Sequence, residues 1–227
     1  AAAGGPLASQ ADDAEFLRRA TLDLAGRVPT VVEATTFLDD GDPEKRIKLI
    51  DRLFAAADYG RRMREFLEVM VLERRTEASI KSADWADYLR ESFRQNRPWD
   101  TLVGKLLFVE KEDTKHQPAA KFILATGRKG NAHQTTQDIA RIFLGRDILC
   151  SQCHNHPTVN AYTQQDYFGL FSYLQDTPEK ANSEFESVFS PGKQTTGPKL
   201  PGGEEVTIPE FAEGEDEQAK LYRPQLL

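Results

Sequence analysis

Apolar positions three and four apart recur along most of the chain, the spacing that gives an α-helix one buried face. In DDAEFLRRATLDLAGR, Phe16, Leu17, Ala20 and Leu24 share such a face, and Gly26 supplies the residue favoured just past a helix end. TVVEATTFLDD carries Thr30 and Glu33 in the spacing of a capping box, with Pro29 just ahead. DPEKRIKLIDRLFAAA offers Asp42 as cap and Pro43 at the first helical position, then Ile47, Ile50, Leu53 and Phe54 along one side. The same signals predict helices over 59–75, 82–96 and 98–109.

Past Gly127, NAHQTTQDIARIFLGRDILCSQCH predicts a helix ending near Gly145, a short connector and a final turn. YTQQDYFGLFSYLQ predicts one more helix, capped by Thr163 with Asp166 in its first turn, and lays Tyr167, Phe168, Leu170, Phe171 and Leu174 along one side. From Asp176 the helical period fails and Gly, Pro, Glu and Ser accumulate, with one short strand expected at EEVTI. The expected fold is therefore all-α. A flexible linker covers 1–11, a multi-helix domain 12–175, and an irregular, largely extended tail 176–227.

Composition narrows the function classes. The 227 residues are 39% hydrophobic, enough for a substantial core. A net charge of −7 argues against nucleic acid or an anionic membrane surface as partner. No apolar run reaches the roughly eighteen residues of a membrane span. AAAGGPLASQ reads as a linker exposed by removal of a signal or anchor segment. Phosphate-loop, Gly-x-Ser-x-Gly and His-Glu-x-x-His motifs are absent, and acidic neighbours such as Asp39 with Asp40 or Glu204 with Glu205 read as solvated charge.

The chemistry concentrates in ILCSQCHNHP, which holds both cysteines of the chain and two of its four histidines. Cys-x-x-Cys-His is the attachment pattern of haem c, and chemistry accounts for each position. On one helical turn, residues three and four apart share a side, so Cys150, Cys153 and His154 can address one flat ligand. The thiols would form thioethers with the two vinyl groups, and the neutral imidazole of His154 would ligate the iron. A structural zinc site remains open, but only His116, His133 and His156 are left to complete its four ligands. A redox dithiol also remains open, although its usual setting is a strand before the motif and a helix after it. The aromatic stripe after Thr163 serves equally as core or as the wall of a haem pocket.

Four blocks in order, FLRRATLDLAGRVPT, LIDRLFAAADYGRRM, NRPWDTLVGKLL and ARIFLGRDILCSQCHNHPTVNAYTQQDYFGLFSYL, resemble the planctomycete-type cytochrome c domain family. The resemblance covers about 12–175 and is most specific in the last block. It implies an all-helical, multi-helix haem-binding domain with one covalent haem c on Cys150 and Cys153 and with His154 as proximal ligand. Such domains occur in large exported proteins with further domains, and AKLYRPQLL resembles the approach to the domain that usually follows.

The sixth iron position has several candidates. His156 lies two residues past His154 and fits a supporting hydrogen bond to a propionate or a carbonyl better than ligation. His133, at the start of the helix leading to the motif, can reach the ring if the chain folds back. Met63 and Met70, two turns apart on the fourth predicted helix, offer thioethers that would raise the reduction potential. Electron transfer to a basic redox partner is the leading functional expectation, with a periplasmic or otherwise exported location. A five-coordinate haem enzyme or small-ligand sensor is a second, with Arg141 and Arg146 as candidate distal polar groups. A zinc- or haem-stapled structural module is a third.

Overall fold

The computed structural model describes residues 9–76, 78–109, 112–127, 132–174 and 183–206. Most of the expected N-terminal linker, the end of the strand expected at EEVTI and the last twenty-one residues lie outside them. Among the described residues the chain is mostly helical, with nine α-helices and one two-stranded antiparallel sheet. It divides into two units: 1–67 with 86–97, and 68–85 with 98–227.

The first unit is built on α1 (Asp13–Ala25), α2 (Val31–Asp39) and α3 (Lys45–Ala55). Their apolar faces bury Leu17, Ala20, Ala25, Phe37, Leu49 and Leu53, with Phe16 stacked on Phe37 at 6.3 Å. α1 ends at Gly26, whose φ of 71° is the left-handed conformation that glycine adopts freely. The capping box on α2 forms as expected: the Thr30 hydroxyl accepts from the Glu33 amide, and the Glu33 carboxylate accepts from the Thr30 amide at 2.7 Å. Arg27 clamps the same carboxylate through two nitrogens, each at 2.8 Å, and reaches Asp58 at 3.0 Å. The Arg27 guanidinium, ahead of the Thr30 amide, holds the Glu33 carboxyl down to about 2.

α3 departs from expectation at its start and on its face. It begins at Lys45 with no side-chain cap, because Asp42 closes a turn ahead of the helix, its carboxylate accepting from the Glu44 amide at 2.8 Å. The buried side is Leu49 and Leu53, while Ile47 and Phe54 are exposed. Apolar residues at 47, 49, 50, 53 and 54 wrap too much of the helix for spacing alone to choose its inward side.

α4 (Ala57–Leu72) and α5 (Ser82–Arg94) each supply residues to both units. The second unit adds α6 (Trp99–Leu107), α7 (Lys121–Thr126), α8 (Ala132–Phe143) and α9 (Gln164–Ser172). Periodicity does not reveal α7, which is only six residues long and opened by a 3₁₀ helix around Pro118. Asp138 of α8 is buried against Arg75 at 2.6 Å, a charge that a core tolerates only when paired.

The expected irregular tail is corrected over residues 183–196. β1 (Ser183–Ser187) and β2 (Ser190–Thr196) form an antiparallel hairpin that packs on α9. Phe185 is its main apolar anchor, stacked on Phe168 at 4.9 Å, and the Ser172 hydroxyl bonds that of Ser183 at 2.8 Å. Strands that bury one phenylalanine among serines and threonines carry too little alternation to be read from sequence. Past the hairpin the chain crosses α9 at Gly169, whose carbonyl accepts from the Lys199 amide at 3.2 Å. A Cβ at Gly169 would stand 2.1 Å from Lys199 Cγ. Lys199 cannot swing away freely, because its ammonium pairs with the buried Asp166 at 3.1 Å. Glu205, within EEVTI, makes a lone antiparallel bridge to Lys199.

Two outcomes follow for stability. Gly169→Ala should destabilise the chain by about 1–3 kcal/mol in urea unfolding, as overpacking outweighs the better helix propensity of alanine. Glu33, held at about 2 against an ordinary 4.5, stabilises the fold fully above its ordinary value and loses that contribution as the pH falls towards 2. Glu33→Gln should therefore lose less stability than the parent chain between about pH 5 and pH 2.

Candidate functional site

The cysteine motif forms a 3₁₀ helix, Leu149–Gln152, between α8 and α9. α8 stops at Phe143, and Gly145 turns the chain in the left-handed region at φ 62°. Ile148 and Ser151 point inward, 1% and 0% exposed, while Leu149, Cys150 and Cys153 point out. The Cys150 carbonyl accepts from the amides of both Cys153, at 3.1 Å, and His154, at 3.2 Å. One tight turn therefore carries the two thiols and the imidazole, as their spacing requires.

Four contacts hold this turn. The Ser151 hydroxyl donates to the Tyr162 carbonyl at 3.2 Å. Gln137 of α8 donates to Gln152 at 3.1 Å. The Cys153 carbonyl accepts from Val188 at the hairpin tip at 3.0 Å. Asn155 caps α9 by accepting from the Gln164 amide at 2.8 Å, next to the Thr163 cap that the sequence indicates.

The two histidines of the motif adopt opposite roles. His154 Nδ1 lies 2.7 Å from the Asn155 carbonyl, which can only accept, so Nδ1 carries the proton. That leaves the Nε2 lone pair uncommitted, the arrangement a metal-ligating histidine needs. Phe189 lies against the His154 ring with centroids 4.9 Å apart. His156 Nδ1 instead accepts from the Val159 amide at 3.1 Å and the Thr158 amide at 3.3 Å, closing its own loop and leaving Nε2 as the donor.

His133 sits at the start of α8, stacked on Phe171 at 4.3 Å, with Nδ1 2.9 Å from the Tyr167 hydroxyl. Burial lowers its pKa and raises that of Tyr167, which is fully buried. The aromatic stripe of α9 thus packs around His133. His116 pairs with Asp113 at 2.8 Å, and the Lys105 ammonium first, then His116, holds that carboxyl down to about 2. Met63 lies in the first unit and Met70 in the second, which also carries the motif. Arg141 is ion-paired to Glu73 at 2.7 Å and to Asp138 at 3.3 Å, while Arg146 lies over the Tyr162 ring at 5.8 Å.

Val188 and Phe189 join this site without any signal in the sequence. Nothing in the spacing of ESVFSPG, more than thirty residues past the motif, links it to the cysteines. Among the described residues no three of His, Cys, Asp and Glu converge as a metal-binding group. Both cysteines are free and exposed. In the folded, haem-free chain, Ellman's reagent should therefore titrate two thiols without denaturant. A chain needing denaturant for either would contradict this placement.

The family model PSCyt2, described as a protein of unknown function (DUF1549), matches residues 1–179. No curated protein and no solved structure matches the chain.

Proposed function

We propose that this chain, which belongs to the PSCyt2 family, binds one covalent haem c and transfers electrons. Cys150 and Cys153 would hold the haem, and His154 would ligate its iron. The observation that carries the reading is the turn itself. Its two thiols are exposed, and the imidazole beside them has Nδ1 tied to a carbonyl and Nε2 free.

The surroundings support the same reading. Leu149, Val188 and Phe189 are 56%, 66% and 76% exposed, and each neighbours or touches the motif. Apolar side chains left in water beside two thiols suit a flat, largely apolar ligand that would cover them. When bound, the haem would supply a one-electron ferric–ferrous couple. The chain's own part would be to anchor the ring through Cys150 and Cys153, offer the His154 imidazole to the iron and keep water from the side that faces the motif.

Electron transfer is preferred to catalysis because both candidates for a distal polar group have other contacts, Arg141 with Glu73 and Asp138 and Arg146 with the Tyr162 ring. The zinc staple would need a fourth ligand beside Cys150, Cys153 and His154, and among the described residues no group of His, Cys, Asp and Glu converges to hold a metal ion. The net charge of −7 favours a basic redox partner docking weakly and in a salt-sensitive way. Thioether attachment also implies an exported location, periplasmic or beyond. His133, in the unit that carries the motif, remains a candidate for the sixth position. His133 would have to offer Nε2, since Nδ1 faces Tyr167.

The test is an alkaline pyridine spectrum of the reduced protein, made in cells able to attach haem c. A thioether-type band that survives acid-acetone extraction is expected. Cys150→Ser or Cys153→Ser alone should move the band to the single-thioether position, and the double variant should lose its haem to the solvent. A colourless protein with stoichiometric zinc would overturn the proposal.

A further inference from the structure

The tip of the β1–β2 hairpin carries two large, exposed apolar residues, Val188 and Phe189. Ser187 pairs with Ser190, so Val188 and Phe189 form the loop by themselves. Two-residue hairpin loops with positive φ take Asn, Asp or Gly, and a loop without it admits other residues but does not call for large apolar ones. Neither Val188 nor Phe189 has positive φ. Core packing does not explain them either, since the buried residues of the hairpin are Ser183, Phe185 and Thr196. Yet the tip is tied to the motif through the Val188 amide and the Cys153 carbonyl, 3.0 Å apart. The Phe189 ring meets the His154 ring with centroids 4.9 Å apart and planes tilted by 51°.

We propose that Phe189 is a positioning residue for His154, and that the hairpin is a working part of the haem site. The inference rests on the haem reading of the motif and extends it, because the family match ends at residue 179 and the hairpin begins at Ser183. The physical case is one of degrees of freedom. The bond from Nδ1 to the Asn155 carbonyl fixes one edge of the imidazole. A bulky ring beside it, with its plane tilted by 51°, restricts rotation about that bond and shields that side from water. The orientation of an axial imidazole and its hydration are among the means by which a protein sets the potential of its haem. Val188 contributes differently, since its amide fixes where the tip stands relative to the cysteines.

The test uses the full chain in two states. In the haem-free chain, the His154 ring protons, assigned against His154→Gln, should show a ring-current shift by NMR. That shift should vanish in Phe189→Ala and persist in Phe189→Tyr. In the haem-loaded chain, the parent and both Phe189 variants should keep covalent haem, because Cys150, Cys153 and His154 are intact. Phe189→Ala should change the ferric EPR g-values and move the ferrous-to-ferric ratio in a fixed redox buffer by about threefold or more, with Phe189→Tyr restoring both. Phe189→Leu, which keeps apolar bulk without a ring, serves if the alanine variant does not fold. It should lose the ring-current shift as well. A wild-type chain without covalent haem overturns the proposed function and this proposal with it. A haem-loaded chain whose spectra and ratio ignore Phe189→Ala and Phe189→Leu overturns this proposal alone.

Discussion

The second unit depends on a buried ion pair between Asp166, in the first turn of α9, and Lys199, on the segment that follows the hairpin. Burial works against the Asp166 charge. The Gly202 amide, the Thr163 hydroxyl and the Lys199 ammonium outweigh it and hold the carboxyl below its ordinary value. A carboxylate so placed acts in three ways at once: it sits beside the α9 cap, orders the turn at Gly202 and pins the chain that crosses Gly169. Removing either partner would leave a buried charge unpaired, which is the costly way to break such a pair. The hairpin hangs from this crossing, and its tip in turn meets the motif. The surroundings of the cysteines are therefore set partly by a charge pair more than ten residues away in the chain.

Wherever caps and apolar period agree, the helices are legible in the residues alone. The Thr30 and Glu33 box, the Gly26 stop and the Thr163 cap stand where the sequence puts them, because each satisfies a backbone group locally and needs no distant partner. The start and face of α3 escape such reading because a nearby turn claims Asp42 and because apolar residues surround much of that helix. The hairpin escapes it for a different reason. Its strands are held by pairing to each other and by contacts with α9, both non-local and carried by small polar side chains.

The site divides along the same line. Cys150, Cys153 and His154 announce themselves by spacing, since one turn brings them together whatever the rest of the chain does. What surrounds them does not. The carbonyl that fixes the His154 tautomer, the glutamine pair joining α8 to the turn, and Phe189 are all contributed by the fold. His133 illustrates the converse. Sequence marks it as a free-standing candidate ligand, whereas the fold gives it a tyrosine partner and an aromatic enclosure.

The division of the chain also bears on how it can be cut and inherited. The first unit takes residues up to 67, yields to the second for eighteen residues, and resumes from 86 to 97. No single break in the backbone separates the two. A cut ahead of residue 97 divides the first unit, and a cut after it takes 68–85 away from the second. Neither can be completed on the ribosome before α5 has emerged. A gene rearrangement that moved only the cysteine-bearing half would carry a fragment of the other with it or leave a piece of its own behind. The pair is thus one heritable piece, although it has two centres of packing.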